Sequence, residues 1–310
     1  MTEFYRRFWG NEALSCKRSL ATLGQLLCDP KNFVEQRTPE WYAMREHVLT
    51  ASNYYDICVT RGNQAATIIN EKLFPDQFPR KEFKFSYPLF HGCRCETAAQ
   101  AFYEWYTGTK LHSFGLVVSK RSSYIASSPD GINNYGIMVE FKCPVSRAIE
   151  HGKVPIKYLY QIYGQLYACD LIRCDYVECI FDRAHNAQTW LDSPVTHKTI
   201  LVFTQDVDKG VTDKDNWVAS FDKTAEEQLA DATEEIGRRF AIKTANERVV
   251  VYHLILSDHN IVKVEYDEKI VSNLVRSVKE VADIMEAQRA AGKPYTGAIP
   301  KSSIVVPISK

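Results

Sequence analysis

The chain lacks any apolar run approaching the roughly 20 residues of a membrane-spanning helix. Its start, Met1-Thr2-Glu3-Phe4-Tyr5-Arg6-Arg7-Phe8, leads into no signal-type apolar segment. The expectation is an intracellular protein, of cytoplasm or nucleus, with no membrane attachment. Net charge is also missing: 38 Lys and Arg balance 38 Asp and Glu. That excludes a protein held on nucleic acid by a global basic field, but not local basic grooves. Local clusters exist at Arg6-Arg7, Lys17-Arg18, Arg80-Lys81 with Lys84, Lys120-Arg121 and Arg238-Arg239, each of which also describes a solvated surface. There is no internal repeat, no low-complexity tract, no phosphate-cradling glycine loop and no Ser/His/Asp arrangement. Cysteine is present nine times, an odd number, but never at the spacing of a zinc site. His91, Cys93 and Cys95 alternate, Cys169, Cys174 and Cys179 stand five apart, and no tight terminal run suits an iron–sulfur cluster. Free thiols are expected.

What is there is a 310-residue chain, 45% hydrophobic and 25% charged, the composition of a globular protein of one large or two ordinary domains. The informative stretch is Ser127-Ser128-Pro129-Asp130-Gly131, followed by Val139-Glu140-Phe141-Lys142-Cys143-Pro144. Gly131, Asn133, Asn134 and Gly136 predict a turn between two strands. On a strand, alternate side chains share a face, so Glu140 and Lys142 point one way and Phe141 the other. Glu-x-Lys alone describes a surface ion pair on an edge strand. Beside the Ser-Pro-Asp-Gly turn, a metal site on Asp130 and Glu140, with Lys142 facing a bound water, is the better reading, because a buried carboxylate and ammonium need partners.

Residues 1–36 are predicted helical, as a cap on the core or an arm towards a partner, with Leu14, Leu20, Leu23, Leu26 and Leu27 at helical intervals. Thr38 with Pro39 and Glu40 predicts a helix to about Glu46, and Ser52 a cap for a further helix near 53–59. Helices are expected from Gly62 to Phe74, across His91–Gly108, from Pro155 to about Asp170, near 224–243, and from about Asp267 to Ala291. Residues 75–88 read as a loop. Strands are expected at 115–118, 124–126, 175–182, 198–203, 248–256 and 261–266, the last two separated by a turn at Ser257-Asp258-His259-Asn260. The strands on either side of Asp130 are expected to form the antiparallel part of the central sheet. On the helix after Pro155, Tyr158, Gln161 and Gln165 share a face. A wet helix face is the plainer reading of Gln165. Glu104 is expected to face solvent, and the tail from Gly292 to be extended.

Four motifs in order resemble the lambda exonuclease and YqaJ-type viral recombinase branch of the PD-(D/E)xK nucleases, to which herpesvirus alkaline nucleases are more distantly similar. They are Trp41-x3-Arg45 with Leu49-Thr50-Ala51-Ser52, Gly92-x3-Glu96, Asp130 with Glu140-x-Lys142, and Tyr158-x2-Gln161. The resemblance covers roughly residues 37–182 and more loosely 248–291. It implies an α/β (α+β) fold with a restriction-endonuclease-like core, a central mixed sheet flanked by helices. The domain would span 37–291, with residues 183–247 as an insertion. It implies two divalent ions, Mg²⁺ or Mn²⁺, on Asp130, Glu140, the Phe141 carbonyl and Glu96. Lys142 and Gln161 would act on the attacking water, with Tyr158 and Gln165 in support. Arg45 and Ser52 would hold a terminal 5′-phosphate. The implied activity is 5′ to 3′ digestion of linear double-stranded DNA in recombination or viral genome processing, with a single-strand annealing protein or further copies of the chain as partners. RNA cleavage, structure-specific endonuclease activity and a catalytically dead DNA-binding protein are the alternatives. The family's acidic residue on the preceding hairpin is not matched, since Lys120 and Arg121 stand there.

Overall fold

The computed structural model describes residues 3–36, 38–79, 87–207 and 216–308. Arg37 and the Arg80, Lys81 and Lys84 cluster lie outside the described residues. The chain opens with α1 (Glu3–Trp9), α2 (Asn11–Leu14), α3 (Lys17–Cys28) and, after a tight turn at Pro30–Phe33, α4 (Pro39–Glu46). β1 (Leu49–Thr50) leads through short turns to α5 (Gly62–Leu73) and α6 (Tyr87–Thr107). Next come β2 (Leu111–His112), β3 (Val117–Val118), β4 (Ile125–Ser127), β5 (Gly131–Asn133) and β6 (Met138–Lys142). α7 (Ile156–Cys169), β7 (Arg173–Arg183), α8 (Ala187–Leu191), β8 (Lys198–Asp206) and β9 (Trp217–Val218) follow. α9 (Ala225–Ile242), β10 (Glu247–Glu265) and α10 (Glu268–Ala291) complete the set.

The helix starts obey local chemistry. The Thr38 hydroxyl accepts from the Trp41 N–H at 3.3 Å, with Pro39 in the first turn where its missing donor is harmless. Thr224 and Glu227 close a reciprocal capping box on α9. Asp267 caps α10, which stops at Gly292 in the left-handed region (φ 63°).

Seven strands form the main sheet in the order β2-β5-β6-β7-β10-β8-β9. β6 and β7 are parallel and every other neighbouring pair is antiparallel. The parallel pair needs a crossover, and α7 supplies it. One face carries Met138, Cys174, Tyr176 and Val264 against α7 and α10. The other carries Val139, Phe141, Val177 and Phe181 against α6 and α1. The mixed sheet between helical layers is the expected architecture.

Several local expectations need correction. β3 and β4 leave the central sheet and form a separate three-stranded sheet with β1, in the order β1-β4-β3. Asp130 therefore sits at the seam where the chain passes from the small sheet into the large one. Residues 248–266 are not two strands around a turn: β10 runs through, and a register shift between Leu256 and Asp258 absorbs the polar Ser257. Ser52 caps no helix; it lies inside a 3-10 turn, Ala51–Asn53, that Thr50 precedes. Glu104 does not simply face water, because its carboxylate accepts from the Leu111 N–H at 2.7 Å. Within 183–247, β8 pairs with β10 along its length.

The N-terminal segment caps the core. Trp9 and Tyr5 on α1 donate to the two oxygens of buried Asp175, at 2.7 and 2.9 Å, and Tyr103 on α6 adds a third bond at 2.7 Å. At the other end, Ile299 bridges to Gly62, and buried Arg61 donates to the Pro300 carbonyl at 3.0 Å. All nine cysteines are free. No described helix is long and apolar enough to cross a membrane.

Candidate active site

β6 presents Glu140 and Lys142 to α7 and buries Phe141 in the opposite layer, as strand alternation requires. Glu140 is fully buried, and both its oxygens are engaged. Oε1 accepts from Gln161 Nε2 at 2.6 Å and from Lys142 Nζ; Oε2 accepts from Gln165 Nε2 at 2.8 Å. Lys142 also donates to the Phe141 carbonyl at 2.9 Å and lies 5.2 Å from the centre of the Tyr158 ring. Gln165 is thus not on a wet helix face: it is 1% exposed and ties down the second oxygen of Glu140.

Asp130 reaches the same place from the turn before β5, where its Oδ2 accepts from the Phe141 N–H at 2.7 Å. Burial pushes the Asp130 carboxyl well above its usual range, and nearby Glu140 and Glu96 push it further, against the pull of Lys142. Burial alone would lower the Lys142 pKa, but Glu140 and Asp130 more than offset this and hold the ammonium charged. The structure thus brings Asp130, Glu140 and Lys142 together with Gln161, Gln165 and Tyr158, and sets the charge of Glu96 beside them. Among the described residues no three His, Cys, Asp or Glu side chains converge closely enough to form a metal-binding group.

Arg45 and Ser52 are joined by Thr50, a motif residue to which the sequence assigned no role. The Arg45 guanidinium lies 4.3 Å from the Trp41 ring centre and donates to Thr50 Oγ1 at 3.2 Å, and Thr50 Oγ1 stands 3.4 Å from Ser52 Oγ. Thr50 is buried, and Ser52 is exposed. The turn after Thr50 presses on α7 at Gly164, where an added Cβ would sit 2.4 Å from the Tyr54 ring. That contact brings the Arg45 cluster against the helix that carries Gln161 and Gln165. Glu178, aligned with Lys142 on the neighbouring strand, is another buried acid the motifs did not reveal; it pairs with Arg147. Its only sequence signal was a carboxylate in an apolar strand.

A family model described as the YqaJ-like viral recombinase domain matches residues 40–171. This span of the chain is similar to that domain. The matched span contains Arg45, Ser52, Glu96, Asp130, Glu140, Lys142, Tyr158, Gln161 and Gln165. An uncharacterised protein of Acanthamoeba polyphaga mimivirus is 27% identical over 210 residues, 61% of this chain. The chain spans only 38% of that relative's length. The fold is similar to LHK-Exo, an alkaline exonuclease from Laribacter hongkongensis. Its crystal structure with dAMP matches at a TM-score of 0.52 and 18% identity, covering 83% of this chain and 96% of that one. A second LHK-Exo structure matches at 0.50 and 17%, covering 82% and 95%. This likeness shows that residues 40–171 and the elements that extend them through α10 share the fold of LHK-Exo.

Proposed function

We propose that the chain is a divalent-metal-dependent nuclease that digests linear double-stranded DNA from a 5′ end. The observation that carries this reading is the crowding of Asp130 and Glu140 around one ammonium, with a third acid, Glu96, nearby. A carboxyl pushed upward by burial and by like charges is short of positive charge, and a hard dication supplies it. Asp130, Glu140 and the Phe141 carbonyl are the groups that would hold such an ion, with Glu96 assisting through water. When bound, Mg²⁺ or Mn²⁺ would stabilise charge at phosphorus and make water more acidic. Gln161 and Gln165 fix the Glu140 carboxylate, so its orientation needs no adjustment when substrate arrives. Lys142, steadied by Glu140 and the Tyr158 ring, is placed to orient the attacking water and, as a charged ammonium, to stabilise the hydroxide that forms from it. Arg45, with Thr50 and Ser52, offers charge-assisted hydrogen bonds to a terminal phosphate.

The test is cleavage with Mg²⁺ of linear duplexes bearing 5′-phosphate or 5′-hydroxyl, beside a closed circle and a single-stranded RNA. Loss of the linear 5′-phosphorylated duplex, with the circle intact, is expected. Asp130→Ala abolishes cleavage and weakens metal binding measured by calorimetry. Near-wild-type cleavage by that variant would falsify the site.

A further inference from the structure

A cleft opens off the sheet edge on which Asp130 lies. β2 leaves the sheet after His112, whose partner is Ile132. Residues 113–115 therefore come off the sheet edge on the side where Asp130 precedes β5. There they are clamped to the segment following α3. The Gly115 N–H donates to the Asn32 carbonyl at 2.6 Å, and Gln36 Nε2 donates to the Phe114 carbonyl at 3.2 Å. A Cβ on Gly115 would stand 2.0 Å from the Val34 carbonyl oxygen, so the two backbones meet only because that residue is glycine. The clamp stacks Phe33 on Phe114, with ring centres 5.4 Å apart and planes inclined by 30°. Phe114 is 4% exposed and Phe33 45% exposed. Next to them is a cleft of about 550 Å³ whose lining includes Thr97, the neighbour of Glu96 on α6.

We propose that this cleft receives one unpaired nucleobase of the nucleic acid bound at Asp130, Glu140 and Lys142, with the base stacked on Phe33. The inference rests on the nuclease reading above. Its chemistry is that of a base rather than a phosphate. The described lining offers an aromatic platform and the Ser113 and Thr97 hydroxyls, beside the Gln36 side chain that clamps Phe114, together with a carboxylate, Glu35, and no Lys or Arg. Among the described residues a phosphate meets no cation there, whereas a base presents a π-face to the ring and polar edges to the hydroxyls. Stacking on an aromatic side chain tolerates any base, which suits an enzyme that works along a strand. Buried Phe114 supports Phe33 from below, so the platform is rigid before substrate arrives.

The experiment is abasic scanning. Fluorescently labelled duplexes with short single-stranded ends, carrying one abasic nucleotide at successive positions, are titrated by anisotropy in EDTA, so that no strand is cut. The proteins are wild type, Phe33→Ala and Phe33→Trp. At one position an abasic nucleotide weakens wild-type binding by about tenfold or more, the worth of a stacked base. Phe33→Ala weakens the intact duplex by a similar factor and shows no further loss at that position. Phe33→Trp keeps wild-type behaviour. Phe33 is surface-accessible, and an unchanged melting temperature checks that Phe33→Ala is folded. Equal abasic penalties in wild type and Phe33→Ala, or an unweakened Phe33→Ala, overturn the cleft. The same duplexes are assayed with Mg²⁺. Cleavage by wild type without any Phe33-dependent penalty overturns the cleft alone. A Phe33-dependent penalty without cleavage overturns the catalytic reading and leaves the base site standing. A wild type that binds none of the duplexes overturns both.

Discussion

Glu140 shows how a residue's role is set by what its neighbours leave it to do. Two glutamines and a lysine occupy its oxygens, so it cannot swing, and orienting the attacking water falls to the Lys142 ammonium. Lys142→Ala is expected to lower the cleavage rate by about 10²–10³-fold, the usual worth of one positioned donor that stabilises developing negative charge. Affinity for DNA should stay within a few-fold by anisotropy in EDTA; a parallel loss of rate and affinity would instead make Lys142 a phosphate contact. Arg45 is predicted to act on binding of the end. Hydrogen bonds to a charged group contribute about 1.5–3 kcal/mol, so wild type should prefer a 5′-phosphorylated end by roughly tenfold to a hundredfold. Arg45→Ala should erase that preference by slowing only the phosphorylated substrate, and equal slowing of both ends would remove the phosphate pocket. Most of this constellation was legible in the sequence, because fixed spacings on a strand and a helix put side chains on known faces. The linking role of Thr50 and the burial of Gln165 were not. A threonine in a Leu-Thr-Ala-Ser run and a glutamine two turns into a helix carry no local mark of burial, and only the approach of α7 to β6 gives them partners.

At the scale of elements, the N-terminal helix is docked by one buried acid. The Asp175 carboxyl is pushed up to about 6 by burial, which the bonds from Tyr103, Tyr5 and Trp9 only partly offset. Its unfolded value is near 3.8, so between the two the folded state holds the proton that the unfolded state has released. Stability from this group is therefore fullest below about pH 4 and falls as pH rises towards about 6, by about 3 kcal/mol in all. Urea unfolding at intervals from pH 4 to 7 should show that decline in wild type and a flatter profile in Asp175→Asn; identical profiles would place the charge elsewhere. Element boundaries were mostly readable, since caps such as Thr38 and Asp267 and the stop at Gly292 are local chemistry. What escaped was long-range. Ser257-Asp258-His259-Asn260 has the composition of a turn, but β7 pairs with Asp258, His259 and Asn260 and holds β10 extended through a bulge. Likewise Ile125-Ala126 resembles any short strand, and only its pairing with Leu49 and Thr50 sends it to the smaller sheet.

Over the whole molecule, contacts distant in sequence close the fold. Ile299 and Val306 are buried against the core near α5 and α10, and Asn70 exchanges two hydrogen bonds with the Tyr295 backbone, at 3.0 and 2.9 Å. Truncation after Gly292 should lower the unfolding free energy by about 3–6 kcal/mol, from two aliphatic side chains at about 1.5–3 kcal/mol each. Urea denaturation checks this, and an unchanged curve would show the tail adds nothing. The strand order carries a consequence in time. β10 lies between β7 and β8 but is made after both. Roughly sixty residues separate the end of β8 from the end of β10. At about 5–20 residues per second, a growing chain spends some 3–12 s with two apolar strands already synthesised and their shared partner still unmade. Both strand edges stay open to other chains for that interval, so the yield of folded protein should depend on how fast the ribosome crosses this stretch and on what shields the nascent chain while it does.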